Sequence, residues 1–279
     1  MKTIGLIINP IAGMGGSVGL KGTDGGMHRQ ALALGATPVA PQRAEETLAH
    51  IQCRDAVAWL VAPGAMGADL IADFDVTYLV VGAIGEQTTG ADTQRIAKLM
   101  IEAGADLLIF AGGDGTARDV CDALSALPPY RRVPVVAIPA GVKVYSAAFA
   151  LSPRAAAELV DAFVEGADVV EEEVLDIDED AFRDNRLDAQ LYGYLLVPAA
   201  PRFLQPGKVA SSAGPSVEEN KRDIAASFVE AMEPKMLYLL GPGTTVKAIA
   251  DELALSKTLL GVDAVYDGAV VAADVNERA

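Results

Sequence analysis

The run Asp106-Leu107-Leu108-Ile109-Phe110-Ala111-Gly112-Gly113-Asp114-Gly115-Thr116 decides how the chain is read. Its first half is a continuous apolar stretch, as a strand buried on both faces requires. Its second half holds three glycines, and without a Cβ their backbone N–H groups can approach phosphate oxygens closely. A helix read from Ala117 to Leu127 adds the positive end of its dipole, and Thr116 adds a hydroxyl donor. Asp114 is the odd member. A carboxylate among phosphates repels them unless it holds Mg2+ or accepts a proton from an attacking hydroxyl. The plain alternative is a tight strand-to-helix turn with Asp114 as N-cap. Five contiguous residues of this kind after a buried strand favour phosphate binding.

Working outward, the same pattern recurs on both sides. Ile4 to Ile8, Ala56 to Pro63, Tyr78 to Val81 and Pro134 to Ile138 read as further strands. Helices are expected around Met27 to Leu34, Ala44 to Leu48, from Ala68, and from Ala91 to Ala103, where Ile96, Leu99 and Met100 keep helical spacing. Strands alternating with helices at this spacing mean βαβ units and a parallel sheet. The expected fold is therefore α/β, with a doubly wound, Rossmann-like nucleotide-binding domain over residues 1–150. The Gly-rich loops Asn9 to Gly26, Gly64 to Gly67, Gly82 to Gly90, Gly112 to Thr116 and Pro139 to Gly141 all follow strand ends. In open α/β sheets that edge is where ligands bind.

After about Ser152 the character changes, and residues 151–279 are expected to form a second, mainly antiparallel, β-rich α+β domain. A helix from Pro153 to Phe163 precedes the acidic stretch Glu171-Glu172-Glu173. Val174 to Asp180 and Leu187 to Val197 alternate apolar and polar residues around a turn-like Arg183-Asp184-Asn185, an antiparallel signature. Pro198 to Pro215 reads as a long loop. A helix from Val217 to Met232, a strand from Met236 to Leu240, a helix ending at Leu253 and a hairpin turning at Asp267-Gly268 complete the chain.

Composition narrows the function classes. The formal charge of −16 argues against a nucleic-acid or anionic-membrane surface, since both need basic patches. No apolar run approaches the ~20 residues of a membrane span, and the apolar run Ile4 to Ile8 is broken too early at Asn9-Pro10 for a secretory signal. A cytoplasmic protein is expected. Cys53 and Cys121 form no zinc or disulfide pattern, and His28 and His50 are the only histidines, so a histidine-based metal site or a Ser-His triad is not expected. A phosphate ligand would meet a repulsive global field. Local N–H groups, a few cations and a divalent ion would have to overcome it.

Gly-Gly-Asp-Gly-Thr is the signature shared by NAD kinases and by diacylglycerol and sphingosine kinases. The chain most resembles the ATP-NAD kinase-like proteins related to the acetoin-catabolism protein AcoX. The resemblance runs through Gly5 to Gly16, Leu20 to Gly25, Ile138 to Ala147, Leu191 to Leu195, Gly241 to Thr245 and Leu260 to Val265. It implies that Asp114 contacts the 2′-hydroxyl of the NAD ribose and serves as base, while Gly112, Gly113, Gly115 and Thr116 cradle donor phosphates. ATP or polyphosphate would be the donor, NAD the acceptor and Mg2+ the divalent ion, in a homo-oligomer (dimer or tetramer). Family members continue with closing strands beyond the segment matching Asp274-Val275-Asn276-Glu277, so the second domain is expected to be short at its C-terminus. The Asn-Glu pair of classical NAD kinases has no match here.

Further candidates surround the signature. Asn9, Gly13, Gly15, Gly16, Lys21, Gly22 and Thr23 belong to the first loop, where Lys21 supplies a cation; the alternative is a surface loop. Thr88-Thr89-Gly90 and Gly243-Thr244-Thr245 offer hydroxyls at helix starts, where an N-cap is the plainer role. Lys143 and Tyr145 are placed to contact a base or a phosphate, Tyr145 equally to fill the core. Three functions follow. One is a kinase acting on NAD, one a nucleotide-binding or regulatory protein without turnover, and one a kinase for another hydroxyl substrate.

Overall fold

The computed structural model describes residues 1–14, 33, 35–141, 144–177, 189–205, 215–258 and 261–275. Its centre is a five-stranded, all-parallel sheet in the order β3-β2-β1-β4-β5. The strands are β1 (Thr3–Ile8), β2 (Ala58–Val61), β3 (Tyr78–Val80), β4 (Leu107–Gly112) and β5 (Val135–Pro139). Each expected strand of the first domain is present, and the continuous apolar runs have a physical cause. Ile4, Leu6, Ile7 and Ile8 are fully buried, as are all six residues of β4. At β1, Gly5 sits opposite Leu108; a Cβ there would lie 2.5 Å from Leu108 Cδ2 and 3.0 Å from Met100 Sδ. The missing side chain lets the following helix layer close onto the central strand.

The chain steps from β1 outward to β2 and β3, then crosses back to β4 beside β1 and on to β5. Because parallel crossovers are right-handed, reversing direction puts the connecting helices on opposite faces. Helix α1 (Ala40–His50) covers one face together with α5 (Pro153–Glu165), while α3 (Gly90–Glu102) and α4 (Asp114–Ser125) pack together on the other. The short α2 (Ala68–Ile71) links β2 to β3. Local signals account for the helix ends. Thr89 and Asp92 form a capping box at α3, with Thr89 N donating to Asp92 Oδ2 at 3.0 Å. Ser152 caps α5 by accepting from Ala155 N at 3.2 Å, Pro153 fills its first turn, and Gly166 closes it at φ +101°.

Beyond α5, β6 (Val169–Ile177) and β7 (Ala189–Pro198) pair antiparallel, with a register shift between Val174 and Leu175. The strand begins earlier than the sequence suggests: Glu171, Glu172 and Glu173, read as an acidic stretch ahead of a strand from Val174, lie within β6. Apolar residues flank them, Val169-Val170 and Val174-Leu175; Glu171 and Glu173 are exposed, while Glu172, on the opposite face, is half-buried, and burial pushes its carboxyl up. The hairpin packs on α4 and β5. Gly193 makes this contact close, since a Cβ there would meet Cys121 Sγ at 2.8 Å. One core cluster therefore runs from Ile4 through α5 to Val174, Leu195, Val197 and Leu204.

A second group comprises α6 (Pro215–Glu230), α7 (Thr244–Glu252) and the antiparallel sheet β10-β9-β8. Its strands are β8 (Leu237–Leu240), β9 (Val262–Tyr266) and β10 (Ala269–Val275), and its own core is Leu240, Ala250 and Val265. The hairpin turns where expected, with Asp267 at φ +49° and Gly268 at φ +76°. Behind it, Lys257 and Asp263 are buried to 1% side-chain exposure and lie 3.6 Å apart. Lys257 Nζ donates to the carbonyls of Thr258 and Gly261. Asp263 accepts from Thr258 N and Asp274 N, both at 2.7 Å. Among the described residues no helix is long and apolar enough to cross a membrane. The helix expected at Met27 to Leu34 (but for Ala33) and the turn at Arg183-Asp184-Asn185 lie outside the described residues.

Candidate functional site

All five strands of the main sheet are parallel, so their carboxyl ends share one edge. The strand order reverses between β1 and β4, which is the position where doubly wound sheets open a crevice. Asn9 ends β1 and the Gly112–Thr116 loop ends β4, one on each side of that crevice. They are stitched together: Asn9 N donates to Ala111 O at 2.9 Å, and Asn9 Nδ2 donates to Thr116 Oγ1 at 2.9 Å. Asn9 Oδ1 also accepts from Ile11 N at 3.2 Å, which fixes the amide's orientation and starts the turn.

The loop after β5 joins from the other side. Ala140 N donates to Gly112 O at 2.8 Å. Gly13, at φ +81°, lies so close that a Cβ would come within 2.0 Å of Ala140 O. Gly112 is equally constrained, because a Cβ would stand 2.3 Å from Thr116 Oγ1. Gly113 and Gly115 differ: their hypothetical Cβ atoms find nothing nearer than 3.5 Å and 3.7 Å. Packing thus explains Gly112 and leaves Gly113 and Gly115 without a packing reason.

Helix α4 begins one residue before Gly115, and no side chain caps it. Its N-cap is Gly113, so Asp114 is the first helical residue rather than the cap. The Asp114 carboxylate turns toward the segment after β5. Oδ2 accepts from Tyr145 N at 2.9 Å, and Oδ1 accepts from Ser146 N at 2.9 Å and from Ser146 Oγ at 2.5 Å. Ser146 is fully buried, and its hydroxyl oxygen in turn accepts from Leu175 N of β6 at 3.0 Å. One carboxylate therefore ties the signature loop, the post-β5 segment and the β6–β7 hairpin. Burial, and then the nearby Asp114 charge, push the Tyr145 phenol up to about 12.

The sequence-derived residues divide into three groups. Asn9, Gly13, Gly112, Gly113, Asp114, Gly115, Thr116 and Tyr145 come together at the crevice. Gly15, Gly16, Lys21, Gly22, Thr23 and Lys143 lie outside the described residues. Gly243 is the N-cap and Thr244 and Thr245 the first residues of α7, in the second group of elements, where Gly243 O accepts from Lys247 N at 2.9 Å. Thr89 takes the plain role of N-cap. Two residues were missed. Ser146 sits beside Tyr145 in a segment already singled out, and Arg118 is an unusual cation one turn into α4.

The family model described as ATP-NAD kinase N-terminal domain matches residues 4–168, more than half of the chain. The chain belongs to the ATP-NAD kinase family. The matched stretch contains every residue gathered at the crevice of this ATP-NAD kinase family member. No curated protein sequence matches it. Among solved structures, a protein from Bacillus anthracis str. Sterne, provisionally named a diacylglycerol kinase, aligns at 19% identity with a TM-score of 0.30. The alignment covers 64% of this chain and 43% of the other, so this family member spans less than half the length of that relative.

Proposed function

We propose that the protein is a phosphotransferase that moves a phosphoryl group from ATP or polyphosphate to the 2′-hydroxyl of NAD. The observation that carries this reading is the Gly112–Thr116 loop at the switch point, with an uncapped helix behind two glycines that packing does not require. In this reading the first-turn amides of α4 hold the donor's phosphates. Asp114 takes the proton of the acceptor hydroxyl as the new oxygen–phosphorus bond forms and the bond to the leaving phosphate breaks. To do so its carboxylate exchanges the Ser146 hydroxyl for that of the ribose. Mg2+ bound with the nucleotide would supply charge neutralisation on the donor. Among the described residues no three His, Cys, Asp or Glu side chains are grouped to hold a metal.

A second reading, a nucleotide-binding regulatory protein of the AcoX type, is favoured by one feature. Both oxygens of Asp114 are engaged in holding the 145–146 segment. Incubation with Mg2+, ATP and NAD separates the two. NADP formed by the wild type and lost in Asp114→Asn supports the kinase. Binding of ATP or NAD without NADP supports the regulatory protein, and phosphorylation of a different hydroxyl compound in place of NAD replaces the acceptor. The same proposal places the protein in the cytoplasm as a dimer or tetramer, apart from nucleic acid and membranes; light scattering reads the oligomer directly.

A further inference from the structure

Arg118 lies three residues after Gly115 on α4. Helical side chains lean back toward the N-terminus, so its guanidinium returns over the first turn. Nη2 stands 3.7 Å from where a Cβ of Gly115 would be. Nη1 is ion-paired with Oδ1 of Asp176 on β6. Among the described residues that pair is the guanidinium's hydrogen bond, and the Nη2 arm of the fork is left toward the loop.

Stability does not explain this arrangement. A cation near a helix N-terminus opposes the macrodipole. The two side chains are 32% and 41% exposed, and pairs so exposed contribute little to folding. A phosphate at the first-turn amides would give both features a purpose. It would sit against the helix's positive end and accept from Nη2, and Arg118 would offset part of the repulsion from a chain of charge −16. We infer that Arg118 is a phosphate-binding residue for the nucleotide and that Asp176 is the positioning residue that presents it. This rests on the phosphate-site reading of the Gly112–Thr116 loop. It also makes β6 a participant in nucleotide binding, although it lies 58 positions away in sequence.

The test is calorimetric titration of the full chain with MgATP and, separately, with adenosine, which lacks phosphates. Wild type is measured first. Arg118→Gln is expected to weaken MgATP binding about ten- to a hundredfold, the range for a hydrogen bond to a charged group. It should also flatten the ionic-strength dependence while leaving adenosine binding unchanged. Arg118→Lys keeps the charge but not the fork and should fall between. Asp176→Asn should weaken MgATP by a smaller factor, again without effect on adenosine. Arg118→Met, which keeps the apolar stem, serves in place of Arg118→Gln if the latter melts early. MgATP affinity equal to wild type in a folded Arg118→Gln or Arg118→Met protein overturns the inference and leaves the proposed function standing. A wild type that binds no nucleotide overturns both.

Discussion

Three neighbouring glycines can be replaced one at a time to separate what the turn needs from what a ligand needs. In Gly112→Ala the new methyl would stand 2.3 Å from Thr116 Oγ1, 2.5 Å from its Cβ and 2.8 Å from its Cγ2. Rotating Thr116 cannot relieve a clash with its own Cβ, and Thr116 is only 3% exposed. Overpacking of this kind costs about 1–3 kcal/mol, and loss of the Asn9–Thr116 hydrogen bond adds about 1 kcal/mol. The sum, about 2–4 kcal/mol, corresponds to a melting temperature lowered by roughly 5–15 °C. Gly113→Ala meets nothing closer than 3.5 Å at φ −113°, so stability should change by no more than about 0.5 kcal/mol. Gly115→Ala has room within a helix and should stabilise by up to about 1 kcal/mol. If the first-turn amides hold phosphates, however, the methyl of either variant obstructs them, and MgATP affinity should fall about tenfold or more in both, about 1.4 kcal/mol. Thermal melts read the first set of effects and calorimetric titration the second. Wild-type MgATP affinity in both Gly113→Ala and Gly115→Ala would refute the phosphate cradle. A Gly112→Ala protein melting with the wild type would refute the packing reasoning.

Other consequences can be measured on the same material. Ser146→Ala removes a donor to Asp114 and leaves the Leu175 N–H buried without its acceptor, so the urea midpoint should reflect a loss of about 1–3 kcal/mol. Because the Tyr145 phenol is pushed up to about 12, the folded state holds its proton more tightly than the unfolded chain does. That contribution is complete below about pH 10 and disappears as pH rises toward 12, so alkaline unfolding curves should fall more steeply for wild type than for Tyr145→Phe. Lys257→Met strands the Asp263 carboxylate in its buried niche and should cost about 3–5 kcal/mol, seen as early loss of the 215–275 group in hydrogen exchange.

The strands were legible because a sheet buried on both faces demands uninterrupted apolar runs, and Ile4 to Ile8 and Leu107 to Ala111 have no other use. Asp267-Gly268 was legible because few residue pairs accept positive φ twice in succession. The strand order was not, since nothing local to Val80 or Leu107 says which neighbour each will find. Nor was the role of Asp114 as a tie. Its partners at Tyr145 and Ser146 lie 31 and 32 positions away, and Ser146 meets Leu175 across another 29. Arg118 was overlooked for the same reason. Read along the chain it is one cation in an amphipathic helix, and only the fold of β6 brings Asp176 beside it. The triple glutamate reads as lying ahead of the strand, yet it falls within β6, where alternation exposes Glu171 and Glu173 and turns Glu172 to the half-buried face.

The shared core of sheet, α5 and β6–β7 hairpin separates two kinds of boundary. The stretch that marks the chain's ancestry stops at residue 168, one position before β6 begins. The apolar interior does not stop there. Val174, Leu195, Val197 and Leu204 belong to the same buried cluster as Ile4. A chain severed after residue 168 would bare the flank of α4 where Cys121 meets Gly193, and would strip Ser146 of its contact with Leu175. Descent is thus legible in a shorter piece than the one that must stay whole for Asp114 to hold its place.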